Sequence, residues 1–434
     1  MSNKANTTTP KPDGKPALTP KLRFPEFRGA AGWEQLPLSE LVGSLDAGVS
    51  VNSGDRPAAG NEIGVLKTSA VTNGIFEPQE NKVVFDEAER GRVKEPVQGG
   101  TIIISRMNTP ALVGANAYVE TSLENIFLPD RLWAAKSKPG TSMRFVASIL
   151  GSDKGRAALS KLAKGSSGSM KNITKPDVFA FLIMAPSPAE QQKIAECLSS
   201  VDELMAAQAR KLDALKTHKK GLMQRLFPRE GETQPRLRFP EFQNAGEWDK
   251  AKLGNHVAIG SGNSPSSFTL SSKGKYALVK VEDLNNCTKY QITGREFCDE
   301  SGGAVPMNSI VFPKRGAAID LNKIRITATE ILIDTNLMAL TPKNGLTTEF
   351  LYYYIADVGL SHIADTSTIP QINNKHIIPF DFLLPSLPEQ QRIADCLTSL
   401  DELIAAQTQK FEALKTHKKG LMQQLFPSPE AVEA

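Results

Sequence analysis

Two arginines each follow a short apolar run and precede a turn: Arg106 in Ile104-Ser105-Arg106-Met107-Asn108-Thr109, and Arg315 in Phe312-Pro313-Lys314-Arg315-Gly316. A planar guanidinium in such a place can make two parallel hydrogen bonds to a flat acceptor pair, such as a phosphate or the edge of a guanine. Lys67, Lys280 and Lys314 are point charges on flexible stems and suit phosphate. Asn172, Gln371 and Asn373 carry groups that pair with the edge of adenine or with a backbone. Plainer roles compete with these. An arginine after a strand is often one half of a surface ion pair, and Asn-rich turns often satisfy their own backbone. The run Lys216-Thr217-His218-Lys219-Lys220 is either a solvated face or a contact for a polyanion or a partner subunit.

Catalytic chemistry is missing from this inventory. No phosphate-binding G-x-x-x-x-G-K-[ST] loop occurs, no Asn-Pro-Pro-Tyr or Asp-Pro-Pro-Tyr run, and no H-E-x-x-H. The cysteines (Cys197, Cys287, Cys298 and Cys396) form no C-x-x-C pair, so zinc spacing is absent and they read as small packing residues. The histidines, at positions 218, 256, 362, 376 and 417, are scattered. The chain has 434 residues, 40% apolar and 23% charged, with a net charge of +4. That is room for two to four domains of ordinary composition. Any basic surface must come from local clustering. No apolar run approaches the roughly 20 residues of a membrane span, and the start of the chain does not resemble a signal peptide, so a cytoplasmic protein without membrane contact is expected.

The elements that would position these side chains are written twice. Ala214 to Gln224 recurs unchanged as Ala413 to Gln423, and Leu22-Arg23-Phe24-Pro25-Glu26-Phe27 returns as Leu237 to Phe242. Trp33 matches Trp248, Lys67 matches Lys280, and Arg106 is matched to Arg315 at an offset of 209. From Pro186 and Pro385 onward the offset holds at 199. Each copy therefore has a divergent globular part and a nearly constant tail. The globular parts alternate short strands, such as Thr101–Ile104 and Ser309–Phe312, with helical stretches at Met143–Leu162 and Thr348–Ala356, which points to α+β. The boundaries read as a disordered tail at 1–20, a globular part at 21–185, a helix at 186–228, a linker at 229–236, a second globular part at 237–384, a second helix at 385–427 and a tail at 428–434.

Both constant tails are helical. Pro188 and Pro388 open them and Phe227-Pro228 and Phe426-Pro427 close them. Apolar residues recur in alternating steps of four and three: Ile194, Leu198, Val201, Met205, Gln208, Leu212, Leu215, Lys219, Leu222 and Leu226, then Ile393, Leu397, Leu400, Ile404, Gln407, Phe411, Leu414, Lys418, Leu421 and Leu425. This is a coiled-coil seam, interrupted in both copies by Gln and Lys at the same places. Each helix spans about 55–60 Å at 1.5 Å per residue. The seam does not decide between parallel and antiparallel pairing.

Four segments resemble the specificity (S) subunit of type I restriction–modification enzymes, over nearly the whole chain from Leu22 to Pro427. They are the doubled Leu-Arg-Phe-Pro-Glu-Phe with its following Trp; Phe312 to Ile319 with Ile104 to Thr109; Ser367-Thr368-Ile369-Pro370-Gln371-Ile372-Asn373 with Gly168 to Thr174; and Pro-x-x-Glu-Gln-Gln before each long helix. The first copy departs from the pattern where Met170-Lys171-Asn172 stands in place of Ile369-Pro370-Gln371.

The resemblance implies two target-recognition domains held apart by two antiparallel helices about a pseudo-twofold. Each would read one half of a split, asymmetric site in double-stranded DNA. The helices would set the gap and dock two methyltransferase (modification) subunits, with motor and nuclease (restriction) subunits joining the full complex. No cofactor is expected on this chain, and S-adenosylmethionine, ATP and Mg²⁺ are expected on the partners. Arg106 and Arg315 then become the candidate base readers, Lys67, Lys280 and Lys314 phosphate contacts, and Asn172, Gln371 and Asn373 contacts to adenine or the backbone. A two-site protein scaffold that binds no DNA is the competing expectation. A lone enzyme is disfavoured by the missing motifs.

Overall fold

A computed structural model describes residues 18–164, 169–366 and 369–427. Most of the expected N-terminal tail, the C-terminal tail, Gly168 and Ser367-Thr368 lie outside the described residues. Leu18 belongs to the fold and not to a tail: its carbonyl accepts from the Trp33 amide at 2.8 Å, and it is buried.

The chain divides into two compact units, Met1–Ala206 with Glu412–Ala434, and Ala207–Phe411. The division cuts through both long helices rather than falling at the linker. The reason lies in the cores. In the first unit Trp33, Phe145, Ile194 and Leu198 share one apolar cluster with Leu425. In the second, Trp248, Phe350, Ile393 and Leu397 share one with Leu226. Each globular part thus encloses the start of its own helix and the end of the other.

The first unit is built on an antiparallel sheet in the order Val42–Ala47, Leu132–Ser137, Ile102–Ser105, Asn116–Tyr118. A smaller sheet runs Asn81–Val83, Gly64–Leu66, Leu123–Phe127, Pro96–Val97. The second unit repeats this plan: Val257–Ser261, Leu337–Pro342, Ile310–Pro313, Arg325–Thr327, with a fifth strand, Tyr290–Gln291, added in parallel at the edge. Its smaller sheet runs Glu296–Cys298, Tyr276–Val279, Ile331–Ile333. Central strands such as Ile102–Ser105 and Ile310–Pro313 are buried on both faces, which is why they read as unbroken apolar runs. Gly48 and Gly262 close each main sheet tightly, since a Cβ there would lie 1.5 Å from the Leu128 carbonyl and 1.9 Å from that of Asp334. The helical stretch expected at Met143–Leu162 is two helices, Met143–Leu150 and Asp153–Lys161, because Ser152 caps the second by accepting from the Gly155 amide.

The long helices run Pro188–Leu226 and Leu387–Leu425, 39 residues each. Every one of the twenty seam residues is buried or half-buried, while His218 and His417 are exposed. Their direction is antiparallel within each unit. In the second, Gln208 meets Gln407 and Lys219 meets Asp401, so one helix rises as the other falls. In the first, Asp202 meets Lys418. The polar seam positions are thereby explained. Gln208 donates to its own repeat equivalent, Gln407, at 2.6 Å. Each seam lysine takes an aspartate of the opposite helix.

The doubled motifs also have structural work. Arg23 is a buried partner of Glu190, with a Nη2–Oε2 distance of 2.7 Å and side chains 6% and 1% exposed. Arg238 and Glu389 repeat the pair at 2.7 Å. Both guanidiniums also donate to carbonyls seven and eight residues on, which folds the motif into a turn. The Leu22 and Leu237 amides close onto the carbonyls of Gln424 and Arg225 at the helix ends.

Candidate nucleic-acid interface

The central strand of each main sheet continues into a short crossing with the segment that precedes the long helix. In the first unit Arg106 donates its amide to the Arg131 carbonyl (3.0 Å) and accepts from the Ile173 amide (2.9 Å). In the second, Lys314 donates to the Asn336 carbonyl (2.8 Å) and accepts from the Ile372 amide (2.9 Å). One residue further, Met107 stands opposite Asn172 and Arg315 opposite Gln371. Arg106 is therefore the counterpart of Lys314, and Arg315 is the counterpart of Met107. The sequence match of Arg106 with Arg315 is corrected by one residue. Side chains alternate along an extended strand, so that single step puts the two arginines on opposite faces of equivalent segments.

The side chains differ accordingly. Arg106 is half-buried with its guanidinium 5.7 Å from the Trp133 ring centre, and its Nε has no hydrogen-bond partner among the described residues. Arg315 is exposed and makes no side-chain hydrogen bond or ion pair among the described residues. Lys314 beside it is half-buried, and burial followed by the Arg315 charge holds its amine below the usual lysine range. Asn172, oriented so that both ends of its amide are satisfied, donates to the Arg106 carbonyl at 3.1 Å. Gln371 is locked by backbone bonds to Asp365 in both directions (2.9 and 3.0 Å). Asn373 caps the turn Asn374–Ile377, with its amide donating to His376 Nδ1 at 3.1 Å.

The structure thus brings together Arg106 with Asn172, and Lys314 and Arg315 with Gln371 and Asn373. Lys67 and Lys280 stand elsewhere. Each follows a strand of the smaller sheet and pairs with a carboxylate beside it, Lys67 with Glu80 at 3.6 Å and Lys280 with Glu296. Sequence reasoning missed Arg131, exposed and without a side-chain partner among the described residues, whose carbonyl receives the Arg106 amide. Its counterpart is Asn336, tied to Asp334 at 3.0 Å. The only signal was its place immediately before an apolar strand, and the repeat hid it because the other copy has no arginine there. Among the described residues no cluster of three or more His, Cys, Asp or Glu could hold a metal, and no helix is long and apolar enough to cross a membrane.

Comparison with known proteins gives the family. The model of the type I restriction modification DNA specificity domain matches twice, at residues 31–217 and 245–416. A putative type I restriction enzyme MjaX specificity subunit of Methanocaldococcus jannaschii is 24% identical over 266 residues, 59% of this chain and 61% of that protein. The type I restriction enzyme EcoEI specificity subunit of Escherichia coli is 26% identical over 170 residues, 39% of this chain and 28% of that protein. The matches thus span less than two thirds of these relatives. Among solved structures, the S subunit of a type I restriction–modification system from M. genitalium superposes with a TM-score of 0.60 at 17% identity, over 95% of this chain and all of that one. A structure from a study of complex assembly and conformational transition of the type I system gives 0.54 at 19% identity, over 92% and 98%.

Proposed function

This chain belongs to the type I restriction–modification DNA specificity family, and from that premise we propose that it is the sequence-reading subunit of such a complex, with each unit reading one half of a bipartite, asymmetric site in double-stranded DNA. The observation that supports this most is the shared backbone crossing at Arg106–Asn172 and Lys314–Gln371. One frame presents a cation and a carboxamide in both units, but with different side chains on each face. A conserved frame with divergent side chains suits two readers of different sequence. The long helices set the gap and dock two methyltransferase subunits; motor and nuclease subunits complete the restriction complex. S-adenosylmethionine, ATP and Mg²⁺ belong to those partners, and this chain carries out no reaction alone. Its place is the cytoplasm, with the DNA.

The test is to express the full chain with its methyltransferase subunits and to sequence the methylated positions. Methylation at one split, asymmetric motif is expected. A complex that assembles yet shows no sequence preference at any salt concentration favours the two-site protein scaffold and removes the reader.

A further inference from the structure

In both units a cation of the globular part reaches the same position of the long helix. Ser199 and Thr398 are repeat equivalents, 199 residues apart. In the first unit Arg144 Nη1 donates to Ser199 Oγ at 3.0 Å; the guanidinium lies 5.2 Å from the Tyr118 ring centre and pairs with Glu120. In the second, Lys289 Nζ donates to Thr398 Oγ1 at 3.0 Å. The cation comes from a different element. Arg144 and Glu349 are equivalents, since each precedes the phenylalanine (Phe145, Phe350) that packs on the motif tryptophan (Trp33, Trp248). Where the first unit has the arginine, the second has a carboxylate. Lys289 supplies the charge from just before the fifth strand, which has no counterpart in the first unit's main sheet among the described residues.

The second contact is the more enclosed. The Lys289 side chain is 7% exposed and pairs with Glu349 at 2.5 Å. Its ammonium sits 4.5 Å from the Tyr353 ring centre and donates to Tyr353 Oη at 3.0 Å. Tyr353 in turn donates to Asp401 Oδ2 at 2.6 Å, and Asp401 Oδ1 takes Lys219 of the other long helix. Burial, and then the Asp401 hydrogen bond, hold the Tyr353 hydroxyl protonated, far above the usual tyrosine range. A charged group so enclosed and fully partnered tolerates few geometries, since any displacement strands an ion away from water. In the first unit the equivalent of Tyr353 is Ser148, which bonds back to the Arg144 carbonyl, and among the described residues Asp202 has only Lys418.

We propose that the Lys289–Tyr353–Asp401 chain is a clasp that fixes the orientation of the second unit's globular part on both long helices, and that it makes the complex selective for gap length, with Arg144–Ser199 as a looser counterpart. This rests on the reading of each unit as a half-site reader. One base pair added to a gap turns the far half-site by about a tenth of a helical turn, so only a rigidly held reader rejects it. Lys289 and Tyr353 are positioning residues and touch no DNA.

The full chain, assembled with methyltransferase subunits, is offered a DNA library with both half-sites fixed and the gap varied by single base pairs. Lys289→Met and Tyr353→Phe are expected to lower the preference for the native gap over its neighbours by roughly tenfold, comparable to one mismatched base pair. The bases selected in each half-site stay as they were, Lys289→Arg restores the preference, and Arg144→Met changes it less. A merely structural role would lower methylation equally at every gap length, and that outcome overturns the clasp, as does an unchanged gap preference in Tyr353→Phe, which keeps the packing of the ring. A wild-type complex with no half-site preference overturns the reader and the clasp together. Sharp wild-type half-sites with an insensitive gap overturn the clasp alone.

Discussion

The two units share a plan and differ in how they are finished. In the first, Arg106 lies over Trp133 and Arg131 stands free of side-chain partners among the described residues. In the second, Arg315 points from the opposite face of the equivalent segment, and Asn336 is held by Asp334. Beneath these differences the buried arginine–glutamate pair and the helix-end closures are the same in both. Even there one detail departs: the Trp33 indole donates to Glu190 at 3.3 Å, whereas the Trp248 indole N–H has no partner among the described residues. The lesson is that duplication preserved what anchors each globular part to the helices and freed what faces outward.

The largest effect is expected at the shared arginine–glutamate anchor. Arg23→Ala leaves the buried Glu190 carboxyl without its guanidinium partner, a loss of about 3–5 kcal/mol. Arg238→Ala should cost a similar amount. Urea unfolding followed separately by Trp33 and Trp248 fluorescence checks this, using single-tryptophan variants that also replace Trp133. Equal effects of either substitution on both probes would mean that the anchors are not local to their units.

The proposed readers should show a smaller effect, confined to one unit each. Arg315→Ala should relax one half-site by about 1–3 kcal/mol and leave the other untouched, and Arg106→Ala should do the reverse. Sequencing of methylated sites reads this directly, and loss at both halves from either substitution would contradict independent readers. The smallest effect belongs to the smaller sheet. Lys280→Ala removes a half-exposed ion pair with Glu296 and should change stability by about 0.2–1 kcal/mol, with specificity unaltered. A shift in the methylated motif would return Lys280 to the interface.

Much of this was legible in the chain. A coiled coil is a local, periodic requirement, and the positions the spacing marks are buried at Ile194, Leu212 and Ile393 and half-buried at Phe411. The α+β class followed from apolar runs such as Ile102–Ile104. The interface was legible only in part. Matching Arg106 to Arg315 compared residue types, but strand register is set by hydrogen bonds to Ile173 and Ile372, more than fifty residues away in sequence. Lys67 and Lys280 look like free cations in a sequence because their carboxylate partners come from elsewhere in the smaller sheets, Glu80 from just before a neighbouring strand and Glu296 from within one.

The sequence by itself determined the duplication, the two long helices, their polar interruptions and the family, since each is carried by local pattern or composition. Tertiary structure alone decided that the helices run antiparallel within each unit, that each unit's core takes in the end of the other helix, and which side chain follows the central strand on which face. Those depend on contacts between distant segments. No local propensity encodes them, and a shift of one residue in strand pairing reverses every face.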